Sequence, residues 1–179
     1  MSILPAEPSP GYSSVSKYLH WGIFFLMAAQ FFVGYSIERL DDDSGLSEDR
    51  LFAVHVFFGL LILLLSVFRI WWRRARPLPP WAPTLSSFER RYAHQVERAL
   101  YVLMVGIPLT GLGYAFTDER RLPLIGRVDF SELFEDAKDF FEVAHIGSHV
   151  LFFLFFPLHV GLILKHQLVD RDRLLSRML

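Results

Sequence analysis

The segment VAHIGSHVLFFLFFPLHVGLIL, residues Val143 to Leu164, constrains this chain more than any other. It carries no Asp, Glu, Lys or Arg and is long enough to cross a bilayer as one helix. Yet it holds three histidines, His145, His149 and His159. A ligating or ionisable side chain in hydrocarbon is costly, so its presence marks a functional site by default. His145 and His159 are fourteen residues apart. That is about 40° short of four helical turns, so the two share a face and lie roughly 21 Å apart along the axis. Two imidazoles so placed, one toward each side of a membrane, suit two stacked haems. His149 lies one turn beyond His145 and points about 80° away from His159, which makes it the poorer partner.

The rest of the chain agrees with a membrane setting. Of 179 residues, 53% are hydrophobic and 16% aromatic, and the mean hydropathy of +0.33 is too high for an ordinary soluble domain. The net charge of −1 decides little, because the charges are segregated into loops. Cysteine is absent, which excludes a disulfide framework, cysteine-ligated iron–sulfur clusters and covalent c-type haem. Histidine-held b-type haem is untouched by that exclusion. The opening MSILPAEPSPGYSSVSK lacks a basic stretch followed by an apolar run. No cleaved signal peptide is expected, and the first membrane helix would act as its own insertion signal.

In chain order, a Pro/Ser-rich tail over 1–16 precedes four apolar runs. The hydropathy predicts an all-α transmembrane four-helix bundle in a single domain, 1–179, with helices at about 19–37, 51–72, 92–117 and 143–165. Acidic ERLDDDSGLSEDR joins the first two. RRARPLPPWAPTLSS joins the second and third and is too polar and Pro-broken to span. Residues 88–98 read as a charged helical lead-in, and Pro108 is placed to kink the third helix. In the 118–142 loop, SELFEDAKDFFEV has helical spacing suited to lying on the membrane surface. Trp21, Trp71, Trp72 and Trp81 read as interfacial anchors.

Lys17, Arg73, Arg74, Arg76, Arg90, Arg91, Arg98, Lys165, Arg171, Arg173 and Arg177 flank one side. The positive-inside rule then places both termini and the 73–98 connection in the cytoplasm. The histidines sort by depth on this topology. His20 and His159 lie near the cytoplasmic surface, His55 and His145 near the outer one. Two depth-matched pairs on three helices point to bis-imidazole ligation, which gives a low-spin iron tuned by hydrogen bonding and burial. Gly22, Gly59, Gly147 and Gly161 lie close to histidines in sequence and read either as room for a macrocycle edge or as ordinary small-residue packing. Arg69, fourteen residues after His55, reads as an ion-pair partner for a propionate, as a donor to a quinone carbonyl, or as a snorkelling anchor. His94 reads as a donor to a bound quinone or as an interfacial histidine. His149 and His166 read as packing or interface residues, with His149 the reserve ligand on the outer side.

These marks resemble the bacterial cytochrome b561 family of di-haem four-helix membrane proteins, from about Lys17 to the C-terminus. The resemblance rests on His20-Trp21, on His55 with Gly59 and Arg69, and on Ala93-His94 before Leu100-Tyr101 and Ile107-Pro108…Gly111. The His145…His159 spacing and the closing Leu174-Leu175-Ser176-Arg177-Met178 complete it. It implies that His20, His55, His145 and His159 ligate two haems b, with ubiquinone chemistry on the cytoplasmic side. The expected setting is a bacterial inner membrane, and the expected partners are lipid, quinone and a donor, with no nucleic acid. The donor is superoxide, for a superoxide:ubiquinone oxidoreductase, or an unidentified redox protein, for an electron-carrying subunit such as the cytochrome b of a membrane hydrogenase. Superoxide steering favours a positive entrance, whereas the outer loops are net acidic, with Arg39, Arg50, Arg120, Arg121 and Arg127 as the available cations. A histidine-lined metal-ion transporter is the rival of another class; ligands at opposite ends rather than at the midplane argue against it.

Overall fold

Four long helices run through the computed structural model, which describes residues 11–37, 39, 48–117 and 137–179. They are α1 (Ser14–Ser36), α2 (Glu48–Ala75), α3 (Ser87–Thr117) and α4 (Lys138–Leu164). Each is long and apolar enough to cross a membrane. The chain is an all-α transmembrane four-helix bundle.

At α1 and α3 local chemistry satisfies the first N–H groups. The Ser13 side chain accepts from the Ser16 N–H at the head of α1. At α3, Ser86 and Glu89 form a reciprocal capping box: the Glu89 N–H donates to Ser86 Oγ at 3.2 Å, and the Ser86 N–H donates to Glu89 Oε2 at 2.8 Å. Glu48 and Asp49 open α2, and Arg73 and Arg74 close it, each sign suited to the helix dipole. These polar ends explain why all four helices start before their apolar runs do. The charged lead-in over 88–98 is one helix with the span it precedes, and Pro108 sits within α3. Lys138 to Glu142, the end of the expected surface helix, is the first turn of α4. The rest of that segment, and most of the acidic loop after α1, lie outside the described residues.

α3 packs along α4, α1 along α2, and α2 along α3. α1 and α4 meet through aromatic side chains: Phe24 stacks on Phe156 with centroids 5.9 Å apart, and Phe31 meets Phe152 and Phe153. The core lies between the two ends of the bundle and joins Ile23, Met27, Ile62, Leu103, Met104, Ile107 and Phe152. A smaller cluster, Phe52, Val56 and Ala115, lies nearer the start of α2 and the end of α3. Large apolar side chains face outward on every helix, among them Phe32 (75% exposed), Leu64 (68%), Val102 (71%) and Val150 (67%). Such a surface is stable in lipid and not in water.

After α4 the chain winds into a π-helical turn, Lys165–Asp170, and a short 3-10 turn, Leu174–Arg177. Between them Arg171 and Arg173 adopt left-handed backbone angles, φ 55° and 60°, which are uncommon for side chains other than Gly, Asn or Asp. The final residues fold back under the bundle. The Tyr12 N–H donates to the Arg177 carbonyl, the Trp21 indole N–H to the Met178 carbonyl, and Arg177 Nη2 to the Pro80 carbonyl.

Candidate cofactor site

Two pairs of imidazoles face each other inside the bundle, one near each end. His55 on α2 and His145 on α4 have ring centroids 6.3 Å apart, near the start of both helices. His20 on α1 and His159 on α4 lie 6.2 Å apart, near the end that holds the tail. A metal ion held between two rings by one nitrogen of each, at about 2 Å, would set the ring centroids about 6 Å apart. Both pairs have that spacing without any movement.

The His55/His145 pair lines a cavity of about 340 Å³. His145 Nδ1 lies 2.9 Å from the Ile107 carbonyl and 3.3 Å from Thr110 Oγ1. A carbonyl only accepts, so Nδ1 carries the proton and Nε2 presents its lone pair to the cavity. Histidine ligands are ordinarily oriented this way. His55 Nδ1 is buried with no hydrogen-bond partner, which is costly unless a ligand satisfies the ring. The His55 backbone is held by Gln30 Nε2, which donates to its carbonyl at 2.6 Å. Glycine lets the neighbouring helices approach these rings. A Cβ on Gly34 would lie 2.9 Å from His55 Cε1, and one on Gly111 2.7 Å from His145 Cε1. Gly22, Gly147 and Gly161 meet nothing within 4 Å, and Gly59 meets only Gln30. His149 belongs to this same cavity, with its ring 4.4 Å from that of His145 and its Nδ1 3.3 Å from Tyr35 Oη.

The His20/His159 pair lines a smaller cavity, about 200 Å³. Here charged groups replace glycines. Arg69 turns inward: Nη2 lies 3.0 Å from His20 Nδ1, and Nε donates to Tyr101 Oη at 3.2 Å. Arginine has no acceptor, so His20 Nδ1 accepts and its proton sits on Nε2. This is the opposite tautomer to that of His145, and ligation through Nε2 would require His20 to exchange its bond with Arg69. Arg73 pairs with Glu97 at 2.8 Å. Tyr12 closes the side, its phenol pushed above the usual range first by burial and then by Glu97. Met27 and Phe31 line both cavities and form the partition between them.

All four histidines singled out in the sequence are thus brought together in the pairs their depth suggested, and Arg69 joins the tail-side pair. His94 is exposed on α3 and lines neither cavity. Gly34, Gln30 and Thr110 carry no sequence signal of their own, because each acts on a histidine of another helix. His166, expected to serve packing or an interface, is buried in the turn that follows α4. It is 1% exposed and sits among Glu89, Asp170 and Asp172.

Four lipid-facing helices enclosing paired histidines at both ends have the layout of a membrane cytochrome b. The chain belongs to the prokaryotic cytochrome b561 family, whose model matches residues 11–179. It is similar to cytochrome b561 homolog 2 of Escherichia coli (strain K12), at 26% identity over 94% of this chain and 90% of the relative. It is therefore a multi-pass membrane electron-transfer protein of a haem b-binding family.

Proposed function

We propose that this chain holds two haems b, one between His55 and His145 and one between His20 and His159, and moves electrons between the periplasm and the quinone pool. The observation that carries the reading is the pair of ring spacings, 6.3 and 6.2 Å, at opposite ends of one bundle. Bound haem supplies a one-electron couple whose potential follows its axial ligands and their surroundings. The protein's own residues do the rest. Ile107 and Thr110 orient His145, while Gln30 fixes the backbone of His55. Arg69, Arg73 and Tyr101 present positive charge and donors suited to carboxylates at the tail side. Met27 and Phe31 keep the path between the sites dry. The lysine and arginine distribution supports a cytoplasmic position for the tail-side pair, and in this reading ubiquinone is reduced near Arg69, with His94 as a surface proton donor.

The test is a pyridine haemochrome assay on detergent-purified protein, read as haem b per chain. About two supports both pairs; about one leaves one pair misassigned; none returns the chain to the transporter class. A C-terminal reporter that reads as periplasmic would reverse the orientation. Rapid mixing with superoxide and a ubiquinone analogue then identifies the donor. Reduction of both haems and of quinone by the isolated chain makes it a superoxide:ubiquinone oxidoreductase; dependence on a co-purifying protein makes it a subunit.

A further inference from the structure

We propose that Glu89, His166 and Asp170 form a binding site for a divalent transition metal ion of the Zn²⁺ type, with Asp172 orienting His166. The site lies where the chain leaves α4 and meets the head of α3, apart from both histidine pairs. One ligand atom from each of the three residues lies within 4.8 Å of the others. A histidine with two carboxylates, and water in the fourth position, is a normal donor set for such an ion.

Convergent acidic groups alone would mean little. The independent observation is His166 itself, whose side chain is 1% exposed and whose Nε2 is buried with no hydrogen-bond partner. Its Nδ1 lies 2.6 Å from Asp172 Oδ2 and 3.2 Å from Asp170 Oδ2. Asp172, the nearer of the two, accepts the Nδ1 proton and leaves Nε2 with a lone pair, as in a carboxylate–histidine–metal relay. Nε2 is aimed at Glu89 Oε1, 3.5 Å away, and two ligands of one tetrahedral ion stand about 3.4 Å apart. Glu89 is fixed in advance, because the capping box occupies its Oε2 and leaves Oε1 to face the site. The left-handed residues Arg171 and Arg173 bracket Asp172, a strained backbone of the sort that persists where a side chain must be aimed.

The two carboxylates already converge on a cation. Lys165 Nζ lies 2.7 Å from Glu89 Oε1 and 2.6 Å from Asp170 Oδ2. Its side chain is 47% exposed and free to swing into solvent. A divalent ion would take the ammonium's place and complete its shell with His166 Nε2, which the lysine does not reach. Lys165 is then a competitor of the metal, and its removal should tighten binding.

The experiment titrates untagged, haem-loaded, detergent-purified protein with Zn²⁺ against a chromophoric chelator. The expected result is one ion per chain. Lys165→Met should tighten binding by about tenfold, the usual scale for two coupled binding events. Asp172→Asn should weaken it about 10- to 100-fold, and Asp170→Asn, an exposed change, should weaken it without altering the haem spectrum. An absence of stoichiometric binding in the wild type, or binding unchanged in Lys165→Met and Asp170→Asn, overturns the proposal. His166→Asn is a secondary check, because loss of a buried side chain can unfold the turn.

Discussion

The two histidine pairs have the same ring spacing and are built by opposite means. At His55/His145 the groups that touch the rings are uncharged, although Arg39, Glu48 and Glu142 also line the cavity: a backbone carbonyl and a threonine hydroxyl meet His145, and glycines lie behind both rings. At His20/His159 they are charged: a guanidinium touches His20, and a second arginine, a glutamate and two tyrosines share the cavity. The neutral end fixes geometry and tautomer through backbone, which no side-chain exchange can replace. In the proposed two-haem reading, the charged end sets potential and anion affinity through side chains. The difference predicts that the first end fails sterically and the second electrostatically.

The largest effect should come from the ligands. His55→Ala and His145→Ala should each lower the content from about two haems per chain to about one and remove the same spectral component. His20→Ala and His159→Ala should remove the other. If His55→Ala and His20→Ala delete the same component, the two ends are not separate sites.

The next effect separates the two glycines. In Gly111→Ala the new Cβ would stand 2.7 Å from His145 Cε1. The ring can retreat only by giving up the Ile107 carbonyl, a loss of about 1 kcal/mol with the ligating tautomer no longer held. Substoichiometric haem at that end alone is expected. Gly34→Ala is less severe, at 2.9 Å from His55 Cε1, because His55 Nδ1 has no bond to lose. Equal damage from both changes, read by haem content, would show that crowding matters and the carbonyl does not.

The four spans were legible because hydropathy is a property of each segment alone. The pairing was legible because fourteen-residue spacing and depth order are too. What the sequence could not show is anything that depends on which faces of two helices meet. Gly34 carries no mark of lying behind His55, nor Gln30 of binding its carbonyl. Arg69 carries in sequence only its spacing from His55, and its inward turn onto His20 depends on α1 lying beside α2. His166 could be read only as a packing or interface residue, because its partners lie either 77 positions back, at Glu89, or in a tail read only as polar. The glycines nearest the histidines in sequence were the natural ones to single out, and three of the four face open space instead.

At the charged end, Arg69→Met should keep both haems and shift one potential. A nearby positive charge favours the reduced form, so its loss should lower the tail-side potential by an amount on the order of tens of millivolts. Arg69→Lys should restore part of the shift, since lysine keeps the charge without the planar fork. Redox titration checks both. A shift confined to the His55/His145 component would assign Arg69 to the wrong end.

The smallest effect concerns Thr110, which approaches both His145 Nδ1 and the carbonyls of Gly106 and Ile107. A hydroxyl has one proton, and at 2.8 Å to Gly106 and 2.9 Å to Ile107 that proton goes to a carbonyl. Its oxygen is then a second acceptor for the His145 Nδ1–H, weaker at 3.3 Å than the Ile107 carbonyl at 2.9 Å. Thr110→Val removes the weaker acceptor and leaves the stronger one. Full haem content and a potential shift smaller than that of Arg69→Met are expected, since ligand orientation survives on the carbonyl. Loss of haem in Thr110→Val would mean that the hydroxyl, and not the backbone, sets the tautomer, and the contrast between a backbone-built end and a side-chain-built end would fall with it.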